Sequence, residues 1–419
     1  MTNVSPMPEK PHSGRFFDII IIGGGAAGFF AAAQLKELDP KVSIGILERG
    51  AEVMQKIKVS GGGRCNVTHA CFEPGELVKY YPRGSKELLG AFHRFGPKDT
   101  IEWFENRSVK LKAEADGRVF PVSDNSQSII HCLLQQTVQK GVSVLKGQTV
   151  KSVAPAGPGW KIQTKTDLFN SQKLIIATGG NPQIWQLLAE LGHRVISPVP
   201  SLFTFNIKDP RIEGLAGISA KVVVAIEKEK LRADGALLIT HWGMSGPAVL
   251  KLSAWGARNL FEKNYQFSIR VNWLHETTLT EAVELLKDLK QNQAKKAIGS
   301  KSPFDFPNRL WERLVGAAKI NPDTRWADLS NAQLQNVAEQ LVQCRFEVSG
   351  KSTFKEEFVT AGGVDLKDID CKTFESRIHK NLFIIGETLN VDAVTGGFNF
   401  QNAWTGATLA AQAICGSAE

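Results

Sequence analysis

Short apolar runs and amphipathic stretches alternate along the first half of the chain in an order that predicts a parallel α/β sheet. "FDIIII", from Phe17 to Ile22, is a short apolar run rich in β-branched residues, the pattern of a strand buried on both faces. "AAGFFAAAQLKEL" then reads as an Ala-rich helix, Pro40 closes it, and "VSIGILE" supplies a second strand ending at Glu48. This is a βαβ unit. Further on, "GVSVLKGQTVKSVAPAGPGWKIQTKTDLFNSQKLII" predicts another parallel strand, a β-meander turning at "APAGPG", and a return strand into the turn "ATGGNP". Near the C-terminus, Leu382 to Ile385 reads as a last strand, and a helix of small residues is expected from about Asn402 to Ile414. The middle of the chain has a different pattern. "SLFTFNI", "AKVVVAIE", "GALLIT" and "YQFSIRVNWL" are β-rich, whereas "LTEAVELLKDLKQ", "PNRLWERLVGAA" and "NAQLQNVAEQLVQ" carry helical spacing. The predicted fold class is therefore α/β: a Rossmann-like domain, parallel sheet plus meander, with an inserted β-barrel-like domain that carries a helical subdomain.

Composition narrows the function classes. A chain of 419 residues exceeds what one core usually holds, so two or three domains are expected. Hydrophobic residues at 42% and charged ones at 22% describe an ordinary globular protein. The net charge of +8 comes from 50 basic and 42 acidic residues that are interleaved along the chain. Such a surface suits an anionic cofactor or small-molecule substrate and speaks against a nucleic-acid partner. Six cysteines with no C-x-x-C pair predict free thiols in a reducing cytoplasm, with neither a metal site nor disulfides. Residues 1–15 read as a loose tail without the apolar core of a signal peptide. The run Ile19 to Ala33 is too short, and too interrupted by glycine, for a membrane span.

The chemistry is concentrated at the glycines. Gly23, Gly25 and Gly28 supply G-x-G-x-x-G between the first strand and its helix. The first permits a tight turn, the second lets the backbone approach a pyrophosphate, and the third allows the helix to pack on the strand. The N-terminus of the helix that follows offers unpaired N–H groups that attract phosphate. Glu48 is placed to accept from ribose hydroxyls, with Arg49 beside it, and an acid there argues against a 2′-phosphate. Val150, Ala177, Thr178 and Gly179 are expected beside the nucleotide. A helix starting after Gly396 and Gly397 would turn its N-terminus toward a flavin, whose reduced form is anionic.

"SGGGRCNVT", "THWGMSGPAVL", "VTAGGVDL" and "GGFNFQNAWTGA" occur in this order along the chain. In these motifs the sequence resembles the BaiN-like (aminoacetone-oxidase-like) NAD(P)/FAD-dependent oxidoreductases, which are two-dinucleotide-binding-domain flavoproteins. The resemblance spans Phe17 to about Ile414. It implies an FAD domain from 16–193 and 357–419, a β-rich insert from 194–277 and 347–356, and a helical subdomain at 278–346. Carried across residue by residue, it implies FAD contacts at Gly23 to Gly28, Glu48, Gly62, Gly63, Arg64, Asn66, Gly386, Glu387, Gly397, Asn399, Gln401 and Asn402.

No second G-x-G-x-x-G unit occurs between 194 and 350, so NAD(P)H is expected only as a transient reductant. The expected reaction is hydride transfer through flavin N5, as an NAD(P)H-dependent reductase of an activated C=C or similar small substrate. An amine oxidase of aminoacetone type producing peroxide shares every motif, and a flavoprotein acting on RNA is an alternative of another class. His241, Arg64 and Asn399 are the candidate catalytic residues at the polar end of the pocket. Cys65, without a resolving partner, is expected to be a packing residue beside the flavin. Nothing in the sequence points to an oligomeric state.

Overall fold

The computed structural model describes residues 14–352 and 359–416. Most of the predicted tail at 1–15, and residues 353–356 of the predicted insert, lie outside the described residues. Arg15 does not belong to a tail: it opens the first strand, Arg15–Ile22.

The chain divides into two compact units, Met1–Pro198 with Gly362–Glu419, and Val199–Ala361. The first is Rossmann-like. Its parallel strands run in the spatial order Leu382–Ile384, Leu168–Ile176, Arg15–Ile22, Ile44–Leu47, Ser143–Leu145. Ile19 to Ile22 are at most 3% exposed, as a strand covered on both faces must be. The long strand Leu168–Ile176 pairs along one edge with two partners in turn. Its first half is antiparallel to the meander strand Gly159–Thr164, and its second half is parallel to Leu382–Ile384. One strand thereby joins meander and C-terminal segment into one sheet.

Two helices cover the centre of that sheet, Ala26–Leu38 and Phe398–Ile414. They pack on each other through Phe30 and Trp404, whose rings lie 4.9 Å apart, and through the bond from Gln34 to Thr408 at 3.1 Å. On another side of the C-terminal helix, a methyl group at Gly406 would lie 3.3 Å from Phe374 and 3.5 Å from Ile385. The C-terminal helix begins at Phe398, four residues before the start expected from its small-residue pattern. Helix propensity hides this start, because Phe and Asn are poor helix formers. Burial overrides propensity here: Phe398 is 1% exposed.

The second unit holds a seven-stranded sheet ordered Cys344–Ser349, Gln266–Asn272, Ser219–Ile226, Arg232–Thr240, Gly243–Ser245, Thr204–Asn206, Lys351–Ser352, all neighbours antiparallel. Among the described residues the two ends of this path do not pair with each other. Helices Leu279–Asn292, Asn308–Ala317 and Asn331–Val342 share its core. Thr278 with Glu281, and Ser330 with Gln333, form capping boxes that start the first and last of them. No helix among the described residues is long and apolar enough to cross a membrane.

Candidate functional site

A concave pocket opens at the carboxyl ends of the first two strands, where ligands of open α/β sheets bind. Ile22, Gly23, Glu48, Gln148, Val150 and Thr178 are among its lining residues. The glycines around it divide by what a side chain would meet. Gly23 has φ +114°, and a methyl group there would lie 2.4 Å from the Ala177 carbonyl oxygen. A methyl group on Gly28 would lie 2.0 Å from the carbonyl oxygen of Gly23. Both glycines therefore serve the protein's own packing. Gly25 is different, since nothing lies within 4 Å of the place a Cβ would occupy. The helix it precedes has no side-chain cap and no acid in its first turn. Its leading N–H groups, those of Ala26 and Ala27 included, are left for an anion.

Glu48 follows the second strand and accepts from the Gly24 N–H at 2.8 Å and the Gly50 N–H at 2.7 Å, one with each oxygen. A carboxylate oxygen has a second lone pair, so the group is held in orientation and can still accept. Arg49 is exposed at the pocket wall, and Val150 is buried there at the start of its meander strand. The sequence reading missed Gln148, Thr149, Asn181 and Gln183, which line the same pocket. Asn181 had a visible signal. It precedes Pro182, and its side chain caps the helix Pro182–Glu190 by accepting from the Gln183 N–H at 3.1 Å.

Three more segments converge on the cradle. Beyond Glu48 the Met54 N–H donates to the Gly24 carbonyl at 2.8 Å, which leads the chain past the G-x-G-x-x-G turn. From the C-terminal side, a methyl group on Gly386 would contact Ala27 Cβ at 3.3 Å. Glu387 pairs with Lys56 at 2.6 Å and faces Gly179, while Thr388 donates to the Gly179 carbonyl at 3.4 Å. Ala177 is buried, and Thr178 lies beside Thr388.

The second glycine cluster, Ser60–Gly63, is a tight turn with Gly61, Gly62 and Gly63 at φ +58°, +69° and +85°. Gly61 is also tight sterically, for a methyl group would meet the Phe120 ring at 2.8 Å, whereas Gly62 faces open space. Arg64 does not reach out from this turn. Its guanidinium bonds Glu114 at 2.6 Å, lies 3.4 Å from Asp124 and stacks over Phe120. The hydrogen bond to Glu114 is the main reason its pKa is raised. Cys65 is fully buried, and burial pushes its thiol up to about 12, which suits packing rather than redox chemistry.

Asn66 ties this cluster to the C-terminal helix. With its amide nitrogen turned to the Thr68 and Val119 carbonyls, at 3.0 and 3.2 Å, its oxygen accepts the Gly397 N–H at 2.9 Å. Gly397 has φ +92°, and a methyl group there would lie 2.4 Å from the Thr68 carbonyl oxygen. Gln401, 0% exposed, accepts from Thr68 at 2.6 Å and Thr100 at 3.0 Å and donates to Thr405 at 3.1 Å. Asn399 clamps Ala393 by accepting its N–H at 3.0 Å and donating to its carbonyl at 3.2 Å. These are scaffold bonds. Arg64 and Asn399, expected to serve catalysis, make these bonds within the protein, Arg64 to Glu114 and Asp124 and Asn399 to the Ala393 peptide. His241 lies in the second unit, exposed in the turn between strands Arg232–Thr240 and Gly243–Ser245.

Asn402 stands apart. It is 1% exposed, and both its amide oxygen and nitrogen lack a partner. Buried polar groups rarely remain unsatisfied, so this amide, in the second turn of the helix Phe398–Ile414, is available to a polar ligand. An open anion cradle, an oriented ribose-side acid and an orphaned amide beside a second uncapped helix together fit FAD.

The family model for the HI0933-like protein Rossmann domain matches residues 17–413. The chain is 30% identical over 407 residues to the ribosomal RNA dihydrouridine synthase of Escherichia coli (strain K12), covering 94% of this chain and 97% of that protein. It is 28% identical over 407 residues to the 3-dehydro-bile acid delta(4,6)-reductase of Clostridium scindens, covering 94% and 98%. Among solved structures, the 3-ketosteroid-delta4-(5alpha)-dehydrogenase of Rhodococcus jostii RHA1 superposes with a TM-score of 0.51 at 11% identity, covering 99% of this chain and 100% of that one. At that identity the likeness shows the fold. The family match over nearly the whole chain, together with the cradle built from Gly23 to Glu48, leads to one conclusion: the chain belongs to the HI0933-like Rossmann family of FAD-dependent oxidoreductases.

Proposed function

We propose that this protein reduces a C=C bond conjugated to a carbonyl in a small organic substrate, with NAD(P)H as the transient reductant of FAD. One observation carries the reading. The full-length relatives bear two different names, a delta(4,6)-reductase and a dihydrouridine synthase, whose chemistry coincides: each adds two hydrogens to a C=C activated by a carbonyl. When bound, FAD supplies a centre that accepts hydride and gives it back. The chain's own residues do the rest. The backbone N–H groups after Gly25 would hold the pyrophosphate and Glu48 the ribose, with the Gly386–Glu387 turn and Gly62–Gly63 as further candidate contacts. At the start of the C-terminal helix, the uncapped N–H groups favour negative charge on the flavin, and Asn402 offers both a donor and an acceptor. His241 is retained as a candidate proton donor.

A second reading takes uracil within ribosomal RNA as the conjugated C=C. It is favoured by the dihydrouridine synthase name of the E. coli relative. One experiment separates these readings. The purified flavoprotein is mixed anaerobically with NADH, NADPH or aminoacetone, and bleaching of the flavin is followed. The reduced protein is then mixed with a 4-en-3-one steroid, a uridine-containing ribosomal RNA fragment, or air. Bleaching by a nicotinamide, with fast recovery on the steroid and slow recovery in air, is expected. Recovery on RNA alone selects the second reading. Bleaching by aminoacetone with fast peroxide formation in air would overturn both.

A further inference from the structure

Among the described residues, one ion pair has a partner with no solvent exposure. Asp392 is 0% exposed, and Arg83, 15% exposed, grips it with Nε on one carboxylate oxygen and Nη2 on the other. The same two residues also pair as an antiparallel backbone bridge. Asp392 lies within the segment that links the Gly386–Glu387 turn to the C-terminal helix, so it connects two parts of the cofactor site.

Neutral contacts already fasten that segment along its length. The Trp185 indole donates to the Thr388 carbonyl at 2.8 Å, the Asn390 N–H to the Val364 carbonyl at 2.9 Å, and the Val394 N–H to the Tyr80 carbonyl at 3.0 Å. Gly84, at φ +86°, lets Val391 approach to where a methyl group would meet it at 2.8 Å. A buried ion pair adds little stability over an apolar pair of equal volume, because desolvation of both charges offsets their attraction. What it adds is direction. A two-pronged guanidinium–carboxylate fork fixes the rotation of both groups, as one neutral hydrogen bond does not.

We propose that Arg83 and Asp392 are a positioning pair for the cofactor. The fork sets the course of the backbone from Asp392 to Gly397, and through it the placement of the helix N-terminus and Asn402 against FAD. The proposal rests on the FAD reading of the site.

The test is to replace the pair together, Arg83→Met with Asp392→Leu, in the full chain. Thermal melting of the FAD-free chain is expected to match wild type or exceed it. Titration with FAD is expected to show affinity weakened by about ten- to a hundredfold, the loss known for removing a partner that orients a metal ligand. The visible band of the bound flavin is expected to shift. A double variant that melts like wild type, binds FAD as tightly and keeps its spectrum would overturn the proposal and leave the pair a packing element. Should the double variant not fold, Arg83→Lys, which keeps the charge and loses the fork, decides: weakened FAD supports positioning, and wild-type affinity overturns it. A wild-type chain that takes up no FAD overturns the FAD reading itself.

Discussion

A methyl group added at Gly28 and one added at Gly25 have opposite consequences, although both residues belong to one motif. At Gly28 it would strike the Gly23 carbonyl oxygen at 2.0 Å, and at Gly25 it would meet nothing within 4 Å. Gly28→Ala should therefore cost about 3 kcal/mol of stability in the FAD-free chain, as overpacking does. Gly25→Ala should leave melting unchanged and weaken FAD, because the methyl group fills the cradle. Equal melting losses in the two variants would show that the division between scaffold and ligand glycine is wrong. Cys65 gives the matching lesson for a side chain: without a resolving partner it read as a packing residue, and its full burial agrees. Arg64 and Asn399 were readable as polar residues near glycine. Glu114 and Asp124 stand 50 and 60 positions from Arg64, so only the fold reveals that ion pairing, whereas Asn399 closes a local loop on Ala393, six positions before it.

At the scale of elements, the C-terminal helix depends on one buried amide. Gln401 gathers Thr68, Thr100 and Thr405 around a single side chain, and Thr405 in turn donates to the Phe95 carbonyl at 2.8 Å. This hub joins the helix to two segments far from it along the chain. Gln401→Leu strands the Thr68 and Thr100 hydroxyls together, so a loss of about 2 to 4 kcal/mol in urea melting is expected from unsatisfied buried donors. A loss under about 0.5 kcal/mol, the usual ceiling for a surface change, would mean that the threonines find other partners. Strand Arg15–Ile22 and its helix were legible from periodicity, since their order is local. The early start of the C-terminal helix was not, because the reason lies in what buries Phe398.

For the whole molecule, acid is the revealing variable. His193 is 3% exposed, and burial is the main cause holding its pKa below the ordinary value. Its Nδ1 lies 3.2 Å from the Leu188 carbonyl and its Nε2 2.8 Å from Ser376 Oγ. The Ser376 oxygen already accepts the N–H groups of Ile378 and His379, so its own hydrogen goes to Nε2 and the imidazole stays neutral. Burial likewise lowers His69. The unfolded chain then binds these protons first. The contribution of these two histidines to stability is flat above about pH 6.5 and falls as the pH drops from there toward the lower folded values, by at most about 1.4 kcal/mol per pH unit for each. Urea melting at pH 7.5 and 5.5 checks this, and His193→Gln should flatten the fall. A wild-type stability that rises on acidification across this window would refute the assignment.

The sequence by itself determined the βαβ start, the dinucleotide motif with its terminal acid, and the change of pattern in the middle of the chain. Each rests on short-range spacing, which backbone geometry converts directly into strand, turn and helix. The tertiary structure alone decided which polar residues are spent on scaffold and which are left for a ligand. Asp392 is fully buried on Arg83, 309 positions before it, and the want of a partner at the buried Asn402 is likewise a fact of packing. Burial and hydrogen bonding are properties of spatial neighbours, and no local pattern records them.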